Sequence, residues 1–256
     1  MQKIKIIVLF WFLSFLSPIF GETKKQIIVS AASSLTQAFT EIGEAFEKKH
    51  STKVFFNFAA SGVLLQQIEN GAPADVFASA DQETVEKGSE KKLFDLKSKK
   101  NFVGNRLILV VPADRSSKIQ SLSDLKEEFV QRIALGNVLT VPAGRYAKEV
   151  LEKEGIYKIL EGKLIPGENV RQVLDYVARG EVEAGFVYKT DAMLMKENVK
   201  IAVADLKTRP ILYPVVIVSK TSLPKESKLF VEFLFSPEAQ KIFQKFHFAK
   251  GESNWK

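Results

Sequence analysis

Ser61-Gly62 stands between an extended apolar stretch, residues 55–59, and a helical one in which Leu64, Leu65 and Ile68 share a face. A helix N-terminus presents unpaired backbone N–H groups and the positive end of the helix dipole, which suits an anion. Ser61 would add a hydroxyl donor there and Gly62 would let an anion approach the backbone. Taken alone, Ser61 reads first as a plain N-cap. The arrangement recurs. Residues 27–31 lead into Ala32-Ser33-Ser34-Leu35-Thr36, and Leu35, Phe39, Ile42 and Phe46 follow at helical spacing. Val141-Pro142-Ala143-Gly144 opens a third helical stretch, and Glu168-Asn169-Val170-Arg171 a fourth, with Val170, Val173, Leu174 and Val177 on one face and Gly180 beyond its end. Four small or polar helix openings could converge on one anionic ligand.

Catalytic chemistry has little to draw on. The chain has no cysteine and two histidines, His50 and His247, in lysine-flanked contexts without metal-ligand spacing. Ser33, Ser34 and Ser61 have no histidine placed as a base in any evident motif, and no Walker or dinucleotide glycine pattern appears. Asp75 and Asp81 could form a carboxylate pair, but they read better as a turn terminator and a helix cap. These absences favour a binding protein over an enzyme.

The elements that must position these turns alternate between strand and helix. Strands are expected at 27–31, 54–59, 76–79, 107–111, 133–135, 184–188, 201–203 and 213–218, which implies an α/β protein with mainly parallel sheets covered on both faces. The apolar stretches 107–112 and 212–219 sit where the chain could cross between two lobes. One lobe would hold residues 22–104 with 211–256 and the other residues 105–210, with ligand bound in the cleft at the carboxyl ends of strands. The charged stretch 86–100 reads as a solvated helix and loop, and 225–235 and 237–248 as two helices packing back through their phenylalanines.

Lys3 and Lys5 precede an apolar run, 6–20, broken by Ser14, Ser17 and Pro18. This reads as a signal peptide, residues 1–21, rather than a membrane span, and places the protein in a periplasm. Without cysteine no lipid anchor is expected. The formal charge of +7 is spread as lysine pairs without interleaved aromatics, so nucleic acid is not an expected partner.

Several motifs occur in a telling order: Ala31-Ala32-Ser33-Ser34-Leu35-Thr36, Ala60-Ser61-Gly62, Gly71-Ala72-Pro73-Ala74-Asp75-Val76-Phe77, Val141-Pro142-Ala143-Gly144-Arg145-Tyr146-Ala147, Glu168-Asn169-Val170-Arg171 and Gly185-Phe186-Val187-Tyr188-Lys189-Thr190-Asp191-Ala192. Across nearly the whole chain this resembles the periplasmic molybdate-binding proteins of ABC importers, the ModA family. The resemblance implies a two-lobed type II periplasmic binding protein fold with crossing strands and a ligand cleft between the lobes. It implies molybdate or tungstate as ligand, no cofactor, and delivery by a monomer to an ABC permease and ATPase at the inner membrane. Carried over by position, Ser34 and Ser61 correspond to hydroxyl and backbone donors of the first lobe, Ala143 and Val170 to backbone N–H donors of the second, and Tyr188 to a phenol reaching the oxyanion. The metal would be held through its oxygens, without direct coordination. Gly136-Asn137-Val138-Leu139-Thr140 departs from the Gly-Asp-Pro opening common in the family.

A fully deprotonated oxyanion is all acceptor, so its site should hold donors and no carboxylate. Phosphate carries a proton near neutral pH and would reward an acceptor, whereas sulfate differs from molybdate only in size. Sulfate or another tetrahedral oxyanion is therefore the alternative ligand on this fold. Ferric ion would need paired tyrosines or carboxylates, and a regulatory domain of the same fold would sit poorly with a signal peptide. Arg145 and Arg171 each follow a proposed donor by one residue, which turns their side chains elsewhere on the helix; surface salt bridges are expected for both.

Overall fold

The computed structural model describes residues 25–114 and 118–251, and the expected signal peptide lies outside them. Two mixed sheets organise the chain. The first holds β1 (Lys25–Ala32), β2 (Thr52–Ala59), β3 (Val76–Ala78), β4 (Phe94–Asn105), β10 (Ile211–Val218) and β11 (Ala249–Lys250), in the order β11-β4-β10-β3-β1-β2. The second holds β5 (Leu107–Pro112), β6 (Ile133–Gly136), β7 (Leu164–Gly167), β8 (Ala184–Tyr188) and β9 (Val199–Val203), in the order β7-β6-β8-β5-β9. Helices α1 (Thr36–Lys49), α2 (Ser61–Glu69), α3 (Gln82–Glu90), α8 (Pro224–Phe233) and α9 (Pro237–Lys245) accompany the first sheet. The helices α4 (Pro142–Lys153), α5 (Tyr157–Leu160), α6 (Val170–Ala178) and α7 (Lys189–Leu194) accompany the second.

The strand–turn–helix units follow from their apolar spacing. Leu35, Phe39, Ile42 and Phe46 are fully buried, as are Val173 and Val177 of α6. Gly71 and Gly180 end their helices in the left-handed region, at φ 87° and 66°. The terminal helices do pack through aromatic side chains: Phe230 and Phe243 lie 6.1 Å from Phe39, and Phe233 lies 5.5 Å from Phe46.

Three expectations change. The sheets are not mainly parallel, because β10 runs antiparallel to β3 and β4, and β5 to β8 and β9. A strand returning from the other lobe enters its sheet from the end where the chain left, and so reverses direction. The stretches 107–112 and 212–219 do not cross: β5 lies wholly in the second sheet and β10 in the first, leaving Arg106 and residues 204–210 as the connections. Finally, residues 94–105 form the strand β4, not a loop. Its outer neighbour β11 is only two residues long, so the lysine-rich half of β4 is an exposed edge, where charge guards against unwanted pairing.

Candidate functional site

Four chain turns meet between the two sheets. The segment Ser33–Leu35, a single 3₁₀ turn, follows β1 and precedes α1, and Ser61 is the first residue of α2 after β2. From the other lobe, Pro142 opens α4 and Val170 opens α6. Together with Tyr188 at the end of β8, they enclose a small cavity. Its wall contains Ser34, Ser61, Ala143, Val170 and Tyr188, all buried, and no acidic or basic side chain.

Each turn leaves particular donors facing that space. In α6 the Asn169 side chain accepts from the N–H groups of Arg171 and Gln172, which leaves Val170 N–H as the uncapped amide of the first turn. In α4 the first residue is proline, so the first available amide is that of Ala143, where no helical carbonyl reaches it. Ser61 is not an N-cap. Ala60 holds that position, and Ser61 Oγ instead accepts the Ala80 N–H at 3.0 Å, so its own proton remains for another partner. Tyr188 OH makes only a long contact, 3.5 Å, to the Ala80 carbonyl. Burial pushes this phenol well above its ordinary pKa, with Tyr213 beside it adding to the rise, so it stays a donor.

Gly62 has a different task from the one its position suggests. Its N–H is taken by the Thr140 carbonyl of the opposite lobe at 2.9 Å, and a Cβ there would lie 2.7 Å from that oxygen. It admits the other lobe, not the ligand. The divergent loop before Val141 is ordered by Asn137, whose side chain accepts from Leu139 N–H and whose carbonyl accepts from Thr140 and Val141.

The two arginines form ion pairs, but not at the surface. Arg145 reaches across the cleft to Asp81, with Nη2 at 2.6 Å and Nε at 3.2 Å from Oδ2, and also donates to Thr84 Oγ1. The Asp81 side chain is fully buried and that of Arg145 is 11% exposed. Asp81 simultaneously caps α3 through Thr84 N–H, while Asp75 accepts from Ile28 N–H in the sheet, so these carboxylates do not form a pair. Arg171 places Nε 2.6 Å from the buried Asp191 and donates from Nη2 to the Ser34 carbonyl and Gln37 across the cleft. Spacing turned both side chains away from the cavity, as expected; what it could not show is that the opposite lobe lies where they point. The histidines stay out of the site: His50 stacks on Phe46 at 4.4 Å, and His247 sits exposed in the left-handed region.

The model of the bacterial extracellular solute-binding proteins matches residues 27–249. The chain is 41% identical to a putative ABC transporter substrate-binding lipoprotein of Bacillus subtilis, over 89% of this chain and 88% of the relative. It is 37% identical to the molybdate-binding protein ModA of Escherichia coli, over 87% and 88% of the two chains. The substrate-binding domain of a putative molybdenum ABC transporter from Clostridium difficile superposes with a TM-score of 0.67 at 37% identity, covering 89% of this chain and 99% of that one. The sulfate-binding protein SubI of Mycobacterium tuberculosis superposes at 0.80 with 16% identity, covering 88% and 87%, which shows the shared two-lobed fold alone. A two-lobed α/β frame, a cleft walled by helix openings and this degree of identity lead to one assignment: the chain belongs to the bacterial extracellular solute-binding proteins and, within them, to the ModA family of ABC transporter substrate-binding proteins, which are not enzymes.

Proposed function

We propose that this protein captures molybdate, and also tungstate, in the periplasm and delivers it as a monomer to an ABC permease and its ATPase. One observation carries the reading. Ser34 and Ser61 from one lobe, and Ala143, Val170 and Tyr188 from the other, bring hydroxyl and amide groups to one small buried cavity whose wall holds no charged side chain. A buried dianion is solvated there by neutral donors, each charge-assisted bond contributing roughly 1.5–3 kcal/mol. Relatives named for molybdate support the choice among oxyanions, since the donor pattern suits sulfate as well.

Calorimetric titration of the ligand-free protein with molybdate, tungstate, sulfate and phosphate tests this. Tight one-to-one binding of the first two alone is the expected result. Heat from sulfate alone would keep the site and change the ligand, and silence from all four would overturn the oxyanion reading.

A further inference from the structure

We propose that Tyr213 and Asn105 are positioning residues that hold the Ser34 hydroxyl as a donor and thereby set the cavity's selectivity against protonated oxyanions. The inference rests on the oxyanion reading above and extends it to residues outside the cavity wall.

Asn105 ends β4 beside the connection between the lobes, and its Oδ1 accepts the Arg106 N–H at 2.9 Å, which fixes the amide's orientation. Its Nδ2 therefore carries the donors, one to Thr190 Oγ1 at 2.9 Å and one to the Tyr213 hydroxyl at 3.1 Å. Tyr213 is fully buried, and its oxygen also lies 2.9 Å from Ser34 Oγ. Distance alone permits either hydroxyl to donate in that last contact. If Ser34 donated, however, the Tyr213 proton would be buried with no acceptor and would lose its hydration uncompensated. Tyr213 already accepts from Asn105, so its own proton goes to Ser34. Ser34 then accepts on its protein side and turns its proton toward the cavity.

Ser61 is set in the same way by the Ala80 N–H. Both hydroxyls thus turn their protons toward the cavity, and an oxyanion bearing an O–H group meets a donor at each position where it would need an acceptor. The relay also joins the lobes. Thr190 lies in α7, two residues after Tyr188, so one amide ties the orientation of Ser34 to the element that carries the phenol.

The test compares the unaltered protein with Tyr213→Phe, using molybdate titrations near neutral pH with phosphate and sulfate as competitors. Phosphate and sulfate share size and shape and differ in the proton that phosphate retains. In Tyr213→Phe, Ser34 is released to accept. Molybdate affinity is expected to fall about tenfold and phosphate to gain about tenfold on sulfate, the size of one hydrogen bond. Should Tyr213→Phe not fold, Asn105→Leu carries the test. It frees the Ser34–Tyr213 bond to run either way without altering charge, and a smaller shift in the same direction is expected. A folded variant with an unchanged phosphate-to-sulfate ratio overturns the assignment, whether its molybdate affinity holds or falls for every anion alike. An unaltered protein that ignores molybdate would overturn the oxyanion reading itself, and the relay with it.

Discussion

Ser61 and Tyr188 both bring an O–H to the cavity, yet they differ in what else they hold. Ser61 Oγ is the acceptor for the buried Ala80 N–H, so Ser61→Ala removes a donor facing the cavity and also strands an amide. It is expected to cost about 1–3 kcal/mol of stability as well as weakening molybdate binding, while the backbone donors keep binding from vanishing. Tyr188 OH has only its 3.5 Å contact to Ala80, so Tyr188→Phe should lower affinity about tenfold with the melting temperature nearly unmoved. Calorimetry and thermal unfolding of the two variants read these effects separately; equal stability losses would contradict the distinction. The helix openings at 141–144 and 168–171 were legible in the sequence, whereas the family resemblance singled out the amides of Ala143 and Val170 within them. Tyr213 and Asn105 were not legible, since Ser34 meets Tyr213 across 179 residues of chain and nothing local to any of the three marks the contact.

Helices α2, α6 and α7 each carry a constraint that packing imposes. Gly62 in α2 has no unusual φ, so Gly62→Ala should fold, but its Cβ would press on the Thr140 backbone of the facing lobe. We expect unchanged thermal stability of the ligand-free protein and a loss of molybdate affinity of at least about tenfold, because close approach of the lobes is obstructed. Titration beside a thermal melt checks this; a stability loss with affinity retained would place the strain within one lobe. Between α6 and α7, burial raises the Asp191 carboxyl from 3.8 to about 6 against the pull of Arg171. The folded protein then keeps a proton that the unfolded chain has released, so this contribution to stability is complete below pH 3.8 and lost as pH rises through about 6. At about 1.4 kcal/mol per pKa unit, the unaltered protein should lose about 2 kcal/mol relative to Asp191→Asn between pH 4 and 7, as read by denaturant unfolding. A flat difference would sink the assignment. The elements themselves show where periodicity suffices. Helices α1 and α6 follow their apolar stripes closely. Strands β4 and β7 escape notice, because one is a lysine-bearing edge and the other a four-residue edge containing Pro166.

Among the described residues, several polar groups bridge the two lobes. Gly62 N–H meets the Thr140 carbonyl, Arg171 reaches the Ser34 carbonyl and Gln37, and Arg145 reaches Asp81 and Thr84. Burying the Arg145–Asp81 pair costs both groups their hydration, which offsets much of their attraction. In an open form both are hydrated again, so the pair biases closure only modestly and leaves the ligand to complete it. The pair touches no cavity atom, and its effect on affinity must therefore run through closure. Arg145→Met removes the cation but leaves Asp81 capping α3 through Thr84 N–H. Closing then strands a buried carboxylate, and molybdate affinity is expected to fall about 10- to 100-fold, in line with roughly 1.5–3 kcal/mol for a charged hydrogen bond. Adding Asp81→Asn should recover part of that loss, because the stranded charge is what opposes closing. Small-angle scattering should show the ligand-free Arg145→Met protein more expanded than the unaltered one, and the two alike once saturated with molybdate. If affinity fell with no change in the ligand-free shape, Arg145 would be acting on the α4 opening at Ala143 and not on the balance between open and closed forms.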